Sequence, residues 1–416
     1  MSEIVLVNVS GENKPALMGM LTSTLTAYQV RILDVGQAVI HDELSLGMLI
    51  EIPDRNATDA LKEALLAHTR ALGTVIRFTQ VSSAEYETWV SQQGKPRYIV
   101  TMLAGGVAAE QLATVMAIVE RHSLGVDGIR RLSGRLPLHN GGSPVRACVE
   151  ISLRGEVADP RRLKAELLQA AGRLTFDFSV QEDTVYRRNR RLVAFDMDST
   201  LIKAEVIDEL ARVHGVGAEV AAITERAMRG EIDFKESFRR RVALLKGLSA
   251  SAFADVAAAV PLTDGARRLI FALKHFGYRT AIISGGFTHV GDRLQRELGI
   301  DYVHANTLET RGGVVTGAVV GEIIDAERKA SLLRELCRNE GIALAQSIAI
   351  GDGANDLPML ASAGLGVAFH AKPIVRESAS HAISNFGLDS VLFLMGFTDR
   401  DIEQAAANDQ SSAAKS

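Results

Sequence analysis

The sequence lacks several features of secreted, membrane-bound and nucleic-acid-binding proteins. Its 416 residues include two cysteines, one tryptophan and nine prolines, and the formal net charge is −4. Cys148 and Cys337 each lie in an apolar segment, which favours buried free thiols over a disulfide and fits a reducing cytoplasm. The small negative charge gives no general attraction to nucleic acid or to anionic membranes.

No apolar run reaches the roughly 18 uncharged residues that a membrane span requires. The first residues also lack the basic and apolar regions of a secretory signal peptide. We therefore expect a cytoplasmic protein with neither nucleic-acid nor membrane partners, and interpret the basic run at 187–191 as a solvated linker. The length is sufficient for two to four domains.

The N-terminal half contains one order of elements twice, β-α-β-β-α-β. The first copy covers residues 1–84 and the second covers 97–183, with a polar linker between them at 89–96. This order predicts two small ferredoxin-like α+β domains, each with its helices on one face of its sheet.

Residues 190–400 alternate apolar strand segments with helical ones. The strand segments read LVAFDMD, YRTAIISGG, DYVHANTLE, SIAIGDG and LGVAF. Continuous apolar strands followed by helices predict a Rossmann-like α/β core with a buried parallel sheet. A helical insert at about 205–260 predicts a small cap, and the polar tail at 401–416 is expected to be disordered.

The most informative stretch is Val193–Ile202, which reads VAFDMDSTLI. Residues two apart on a strand point the same way, so the carboxylates of Asp196 and Asp198 are predicted to lie side by side at the strand's exit. Two like charges this close require a cation or a shared proton, and Mg²⁺ prefers such oxygen ligands. An acidic turn without a catalytic role is the alternative.

Three further elements bring polar groups towards the same place. They are Ser284 with Gly285, Lys329 at the start of a helix, and the run GDGAND at 351–356. Each is common by itself, as a turn or a surface lysine, but ligands of open α/β sheets bind at the carboxyl ends of the strands. Asp352 would then complete a Mg²⁺ site with Asp196 and Asp198, and the Met197 carbonyl is a further possible ligand.

Together these residues resemble the four motifs of the haloacid dehalogenase-like phosphatases, over roughly residues 190–396. The resemblance implies that Asp196 is the nucleophile and forms an aspartyl-phosphate, while Asp198 is the general acid and then the base. It also implies that Lys329 and Mg²⁺ stabilise the phosphoryl charge. The phosphate would be bound by Ser284, Gly285, Lys329 and Asn355.

The insert resembles the cap of the phosphoserine phosphatases. That resemblance implies that Glu205 binds the substrate ammonium and Arg241 its carboxylate, with Met228 and Phe234 lining the pocket. A zwitterionic amino acid needs one anion and one cation at its α-carbon. The implied reaction is hydrolysis of O-phospho-L-serine, the last step of L-serine biosynthesis. From spacing alone, these residues could equally be a solvated helix face and cap core.

The two repeats resemble ACT domains, regulatory modules that often bind amino acids. Ala16 and Glu110 stand where glycine is typical of the ligand loop, so L-serine as an effector and simple dimerisation are both open. Exposed sheet edges predict a homodimer. Two other functions are weighed: a phosphatase of another small phosphomonoester, and an amino-acid sensor whose phosphatase half is inert.

Overall fold

The computed structural model describes residues 2–135, 146–379 and 381–405. The chain divides into two compact units, Met1–Lys95 and Pro96–Ser416. Both cysteines are free and buried, as predicted. Over the described ranges, no helix combines the length and the apolar character needed to cross a membrane.

The first unit has the predicted β-α-β-β-α-β order. Its elements are β1 (Glu3–Glu12), α1 (Ala16–Ala27), β2 (Arg31–Ile40), β3 (Glu43–Ile52), α2 (Thr58–Ala71), β4 (Val75–Val81) and α3 (Ser83–Ser91). The strands form an antiparallel sheet in the order β2-β3-β1-β4. Val5, Val7 and Val9 alternate along β1 and pack with leucines of α1 in one core cluster, so one sheet face is covered by helices.

Helix α3 was not predicted, because the sequence analysis assigned a polar linker to this region. The Ser82 hydroxyl accepts the backbone N–H of Glu85 at 3.2 Å, and the Glu85 carboxylate accepts the backbone N–H of Ser82 at 2.8 Å. This reciprocal capping box starts the helix. The Ser-x-x-Glu pattern was the signal that could have found it.

The second unit begins with the second repeat and continues into the α/β core. The repeat contains β5 (Arg97–Ala104), α4 (Ala109–Arg121), β6 (Gly125–Arg131), β7 (Ala147–Arg154), α5 (Pro160–Leu174) and β8 (Asp177–Glu182). The core then starts with β9 (Leu192–Phe195), and four helices follow it: α6 (Val206–His214), α7 (Gly217–Met228), α8 (Phe234–Leu244) and α9 (Ala250–Ala259).

The rest of the core alternates helices and strands. Its elements are α10 (Ala266–His275), β10 (Arg279–Phe287), α11 (Thr288–Leu298), β11 (Tyr302–Arg311), β12 (Val314–Val320), α12 (Ala326–Asn339), β13 (Ser347–Gly351), α13 (Leu357–Ser362), β14 (Leu365–Phe369), α14 (Pro373–Ser378), β15 (His381–Ile383) and α15 (Val391–Leu394). The five predicted core strands are all present, and β9, β10, β11, β13, β14 and β15 run parallel. The four residues of β9 are fully buried, as a central parallel strand requires.

The sheet of the second repeat is continuous with the sheet of the core. Strand β15 pairs antiparallel with β8, opposing His381 to Ser179 and Ala382 to Phe178. Across the described residues this gives one sheet of 11 strands. Residues 97–183 and 190–400 were expected to form separate domains. The pairing of β8 with β15 was not foreseen, because a pairing between distant strands leaves no local pattern in the sequence.

The four helices α6–α9 form the predicted cap. The chain leaves the core near Ile202 and returns to it near Leu262, and an isolated antiparallel β-bridge joins these two residues. The backbone N–H of Ala250 also donates to the Gly313 carbonyl at 2.8 Å, next to β12. The cap is therefore attached at its hinge and at this hairpin.

The first residues of the tail that was expected to be disordered are ordered. Residues 401–405 are helical, and Ile402 and Ala405 are each 1% exposed. Ile402 belongs to the main core cluster, so its burial holds this turn in place. The remainder of the tail, 406–416, lies outside the described residues.

Acid should destabilise the second unit through His381. Burial lowers the pKa of His381 to about 3, and the charge of Arg190 adds to the effect. In the unfolded chain the pKa is about 6.5, so between these values the unfolded state binds the extra proton. The contribution of His381 to the free energy of unfolding is therefore complete above about pH 6.5. It falls by about 2 kcal/mol by pH 5.

The variant His381→Asn keeps a hydrogen-bonding partner for the Ser179 hydroxyl, which lies 2.8 Å from the imidazole Nδ1, but removes the titration. We expect denaturant unfolding of the variant to depend less on pH than that of the parent. His41→Asn, at an exposed position of the first unit, is the control. Equal pH slopes for parent and His381→Asn would contradict the assignment.

Candidate active site

The predicted motifs meet at the carboxyl ends of the parallel strands. Asp196 directly follows β9, Ser284 lies near the end of β10, and Gly351 is the last residue of β13. The backbone N–H of Asp196 donates to the Ile350 carbonyl at 2.8 Å, which ties the ends of β9 and β13 together. Side chains from distant parts of the sequence therefore face one crevice, as open α/β sheets favour.

Lys329 is fully buried in the first turn of α12 and lies between two carboxylates. Its Nζ is 2.9 Å from Asp196 Oδ2 and 2.7 Å from Asp356 Oδ1. Burial alone would lower the pKa of Lys329, but the two carboxylates outweigh burial and raise it. The lysine is thus a permanent cation that fixes the orientation of Asp196.

Three carboxylates form a group with the spacing of a metal site. Oxygens of Asp196, Asp352 and Asp356 all lie within 4.8 Å of one another. Burial, followed by the charge of Asp196, raises the pKa of Asp352 to about 7. The Thr200 hydroxyl donates to Asp352 Oδ1 at 3.0 Å and fixes its rotamer. Hard divalent cations prefer such an all-oxygen set.

Asp356 has its oxygens engaged in this group. One oxygen pairs with Lys329, and the other accepts the backbone N–H of Gly353 at 2.9 Å. Asp356 therefore orients Lys329 and the backbone at Gly353. Asp196 also has both oxygens engaged, Oδ2 by Lys329 and Oδ1 by the backbone N–H of Met197 at 2.7 Å, whereas, within the described residues, Asp352 uses only Oδ1, for the Thr200 hydroxyl.

The side chain of Asp198 is not part of this carboxylate group, and its role as a metal ligand stays a prediction. Strand β9 ends at Phe195, and the chain turns at once, with Ser199 in the left-handed region at φ 57°. The two carboxylates are therefore not neighbours on an extended strand. Asp198 lies instead over Gly286: a Cβ built on that glycine would sit 2.5 Å from Asp198 Oδ2.

Asp198 has the environment of a protonated acid. Burial, followed by the charges of Glu205 and Asp196, raises the pKa of Asp198 well above its usual range. Its Oδ1 is buried and has no hydrogen-bond partner within the described residues. A carboxyl that holds its proton near neutral pH can donate it to a leaving group.

The Met197 carbonyl, a further possible metal ligand by sequence, is used by the turn itself. It accepts backbone N–H groups from Thr200, Leu201 and Ile202 at 3.3, 2.9 and 3.1 Å. With three donors already on this oxygen, the structure gives it a structural role in place of a ligand role.

The expected phosphate-binding residues other than Lys329 lie near the end of β10 and in the turn after β13. Ser284 is fully buried, and its hydroxyl accepts the backbone N–H of Gly286 at 2.9 Å. Gly285 faces the ring of Phe234, and Asn355 is half-buried in the short turn 354–356 before α13. Glycine N–H groups and a hydroxyl beside a lysine suit a phosphate anion.

Two of the predicted cap residues also reach this crevice. Glu205 lies at the hinge before α6, where its carboxylate accepts the Ser199 hydroxyl at 2.9 Å. Arg241 of α8 has a buried Nε without a hydrogen-bond partner among the described residues. Burial lowers the pKa of Arg241, opposed by the charges of Asp208, Glu205 and Asp198. An anion and a cation thus face the crevice from the cap side.

Phe234 and Met228 differ in their placement. Phe234 stacks on Phe238 within the cap, and its Cζ would be 3.3 Å from a Cβ on Gly285. Met228 ends α7 with 68% of its surface exposed. Phe234 therefore lies against Gly285, whereas Met228 is mostly exposed, and the prediction that both residues line a substrate pocket stays a prediction.

One cap-to-core contact was missed by sequence reasoning. Lys235 Nζ in the first turn of α8 lies 2.9 Å from Asp325 Oδ2. Asp325 is also the N-cap of α12, where its Oδ1 accepts the backbone N–H of Arg328. A lysine and an aspartate 90 positions apart leave no spacing signal in one sequence.

Comparison with known proteins identifies a family for two parts of the chain. Residues 193–361 match the haloacid dehalogenase-like hydrolases, and residues 3–79 match the ACT domain. A phosphoserine phosphatase of Streptomyces coelicolor is 41% identical over 96% of this chain and 94% of its own. The phosphoserine phosphatase SerB2 of Mycobacterium tuberculosis is 38% identical over 97% of this chain and 96% of its own.

Two solved structures share the fold. A hydrolase of the haloacid dehalogenase family from Salmonella enterica serovar Typhi has a TM-score of 0.62 at 33% identity, covering 72% of this chain and 98% of its own. A probable phosphoserine phosphatase from Vibrio cholerae has a TM-score of 0.57 at 32% identity, covering 76% of this chain and 90% of its own.

Gly286→Ala should remove activity by displacing Asp198. The new methyl group would lie 2.5 Å from Asp198 Oδ2 and 2.6 Å from Met197 Cε, so the carboxyl must move. We expect kcat for phosphate release to fall about 100-fold, as for loss of a general acid. Gly19→Ala, in α1, is the control, because its methyl group would meet no atom of the described residues within 4 Å. If both variants fold and their kcat values fall equally, displacement of Asp198 is not the cause of the loss.

Proposed function

Since this chain belongs to the phosphoserine phosphatases of the haloacid dehalogenase-like superfamily, we propose that it cleaves O-phospho-L-serine with Mg²⁺ through an aspartyl-phosphate. The products are L-serine and phosphate, the last step of L-serine biosynthesis. The observation that carries the proposal is the buried contact of Asp196 with Lys329 at 2.9 Å, which orients the Asp196 carboxyl group at the strand's exit.

The proposed reaction has two steps. In the first, an oxygen of Asp196 attacks phosphorus, the bond between phosphorus and the serine oxygen breaks, and Asp198 donates its proton to that oxygen. In the second, Asp198 takes a proton from water, the water oxygen attacks phosphorus, and the bond to Asp196 breaks. The raised pKa of Asp198 supports its role as acid in the first step.

Asp196 and Asp352 are the proposed Mg²⁺ ligands, with Asp356 adjacent. Mg²⁺ bound there would offset the negative charge that the carboxylates and the phosphate bring together. Lys329 supplies a second, permanent cation on the other side of Asp196. Ser284, Gly285 and Asn355 are proposed to hold the phosphate oxygens.

The cap is proposed to select the amino acid. Glu205 would bind the ammonium group and Arg241 the carboxylate, with the Phe234 ring shielding the crevice. The unpartnered Nε of Arg241 supports this role, because a buried guanidinium donor without a partner is costly until an acceptor arrives. The alternative, another small phosphomonoester, would leave these charges unused.

The N-terminal repeats are proposed to bind L-serine and to form a homodimer. Strand β2 is an edge strand with exposed apolar residues, among them Val35, Val39 and Ile40. Such an edge can pair with a second chain. A cytoplasmic location is proposed from the two free thiols.

Asp196→Asn should abolish phosphoserine hydrolysis, because an amide cannot form the phosphoenzyme. We expect kcat to fall by about 10⁴-fold or more. Phosphate release by the parent should also stop with a chelator and return with Mg²⁺. Asp292→Asn, on α11, is the control for loss of one carboxylate. Full activity of Asp196→Asn, or activity unaffected by chelation, would each reject the corresponding part of the mechanism.

Glu205→Gln and Arg241→Gln should each weaken selection for an amino acid. Loss of one charged hydrogen bond predicts a fall in kcat/KM for phosphoserine of about 10- to 100-fold. Activity on phosphoethanolamine, which lacks the carboxylate, should be less affected by Arg241→Gln. Arg240→Gln is the neighbouring control, since Arg240 pairs with Glu236 on the outer cap face. A sugar phosphate preferred over phosphoserine by the parent would favour the alternative substrate class.

A further inference from the structure

A cleft separates the second repeat from the core on the side of the molecule where α5 and α14 approach each other. Its volume is about 560 Å³, and its lining includes Arg161, Lys164 and Leu168 of α5 with Arg376 and Glu377 of α14. A second, smaller cleft adjoins it and shares Leu168 and Arg376. Arg376 therefore stands between two hollows at this seam.

The charges in the cleft do not balance. Three cationic side chains line it against one acid, Glu377. Within the described residues, no ion pair joins Arg161, Lys164 or Arg376 to a carboxylate. Lys164 Nζ donates only to the backbone carbonyl of Glu377, at 3.3 Å. On the same helix, Arg162, which does not line the cleft, forms an ion pair with Glu166 at 2.9 Å. Among the described residues, the unpaired cations of α5 are thus those that line the cleft.

The nearest buried carboxylate is already occupied. Asp177, which lines the smaller cleft, accepts the backbone N–H groups of Ser384 and Asn385 and the Asn385 side-chain amide, at 2.8 to 3.0 Å. Arg376 Nε is buried and has no hydrogen-bond partner in the part of the chain that the structure describes. Burial also lowers the pKa of Lys164, as expected for a half-buried cation without a counter-charge.

We propose that this cleft binds inorganic phosphate, held by Arg161, Lys164 and Arg376. Three cations and one acid leave an excess of two positive charges, which matches a phosphate dianion better than a single carboxylate. Guanidinium groups bind phosphate through paired N–H donors, and lysine binds it as a point charge. The bound anion would also supply the acceptor that Arg376 Nε lacks.

The site is separate from the crevice around Asp196, but α14, which lines it, also packs next to the loop at 351–356. Val375 of α14 packs in a small cluster with Leu357, the first residue of α13. Leu357 directly follows Asp356, the partner of Lys329. Phosphate at the seam would thus steady the helix that supports the GDGAND loop.

The test counts phosphate bound to the full chain by equilibrium dialysis with labelled inorganic phosphate, without Mg²⁺ and at fixed ionic strength. Concentrations up to about 10 mM cover dissociation constants near 1 mM. The crevice around Asp196 can itself hold phosphate, so a double variant, Lys164→Gln with Arg376→Gln, is compared with the parent. We expect the double variant to bind one phosphate fewer per chain. Arg162→Gln, which removes a cation from the same helix outside the cleft, should bind as the parent does.

Thermal unfolding gives a second readout of the same site. Added phosphate should raise the Tm of the parent and of Arg162→Gln more than that of the double variant, whereas acetate at equal ionic strength should not distinguish the three. Equal phosphate counts in the parent and the double variant, or a loss of the same size in Arg162→Gln, would overturn the proposal. Displacement by acetate as effective as by unlabelled phosphate would overturn the choice of a dianion. None of these outcomes depends on phosphoserine turnover.

Discussion

A buried lysine between two carboxylates, Lys329 between Asp196 and Asp356, is the contact on which the rest of the site depends. The three residues come from α12, from the end of β9 and from the turn before α13, so one cation aligns three elements. Removing one partner of such a buried set typically costs about 3–5 kcal/mol, because a charge is left unpaired. The same cation lies 2.9 Å from Asp196 Oδ2 and so fixes the orientation of this carboxyl group at the end of β9.

The sequence predicted best what depends on local pattern. The buried run of β9 and its exit at Asp196 follow from continuous apolar residues, and Ser284, Lys329 and Asp352 follow from motifs at strand and helix ends. The prediction failed where geometry depends on the path of the backbone. An extended chain would put Asp198 beside Asp196, but the strand ends at Phe195 and the turn directs Asp198 to Gly286. The rule that side chains two residues apart point the same way applies only within a strand, and β9 has ended before Asp196.

Contacts between distant elements left no signal in the sequence. The pairing of β15 with β8 and the ion pair of Lys235 with Asp325 each join segments that are far apart along the chain. By contrast, the helix at Ser83–Ser91 did carry a signal, the Ser82 and Glu85 capping box, which was overlooked. The exposure of Met228 depends on which helices cover the end of α7, and spacing alone does not contain that information.

The contact of Lys235 with Asp325 links the cap to Lys329 through a single helix, α12. Asp325 caps α12 with one oxygen and holds the cap with the other, and its backbone carbonyl accepts the N–H of Lys329 at 2.9 Å. Partly exposed ion pairs contribute about 0.2–1 kcal/mol, so this one biases the cap towards the core without locking it. Substrate can therefore enter while α12 keeps its first turn, and with it the position of Lys329.

The continuous sheet limits how the second repeat can influence catalysis. Gln181 of β8 donates to the Leu394 carbonyl at 2.7 Å, and Arg190 donates to the Ser347 carbonyl at 3.2 Å, where β13 begins. These hydrogen bonds are buried. Moving the repeat away from the core would leave several polar groups without hydrogen-bond partners, and each such group would cost about 1–3 kcal/mol of stability. A ligand bound to this repeat would therefore act through small shifts of β8, β15 and α14. The other end of β13 carries Asp352, which gives such shifts a short path to the carboxylates.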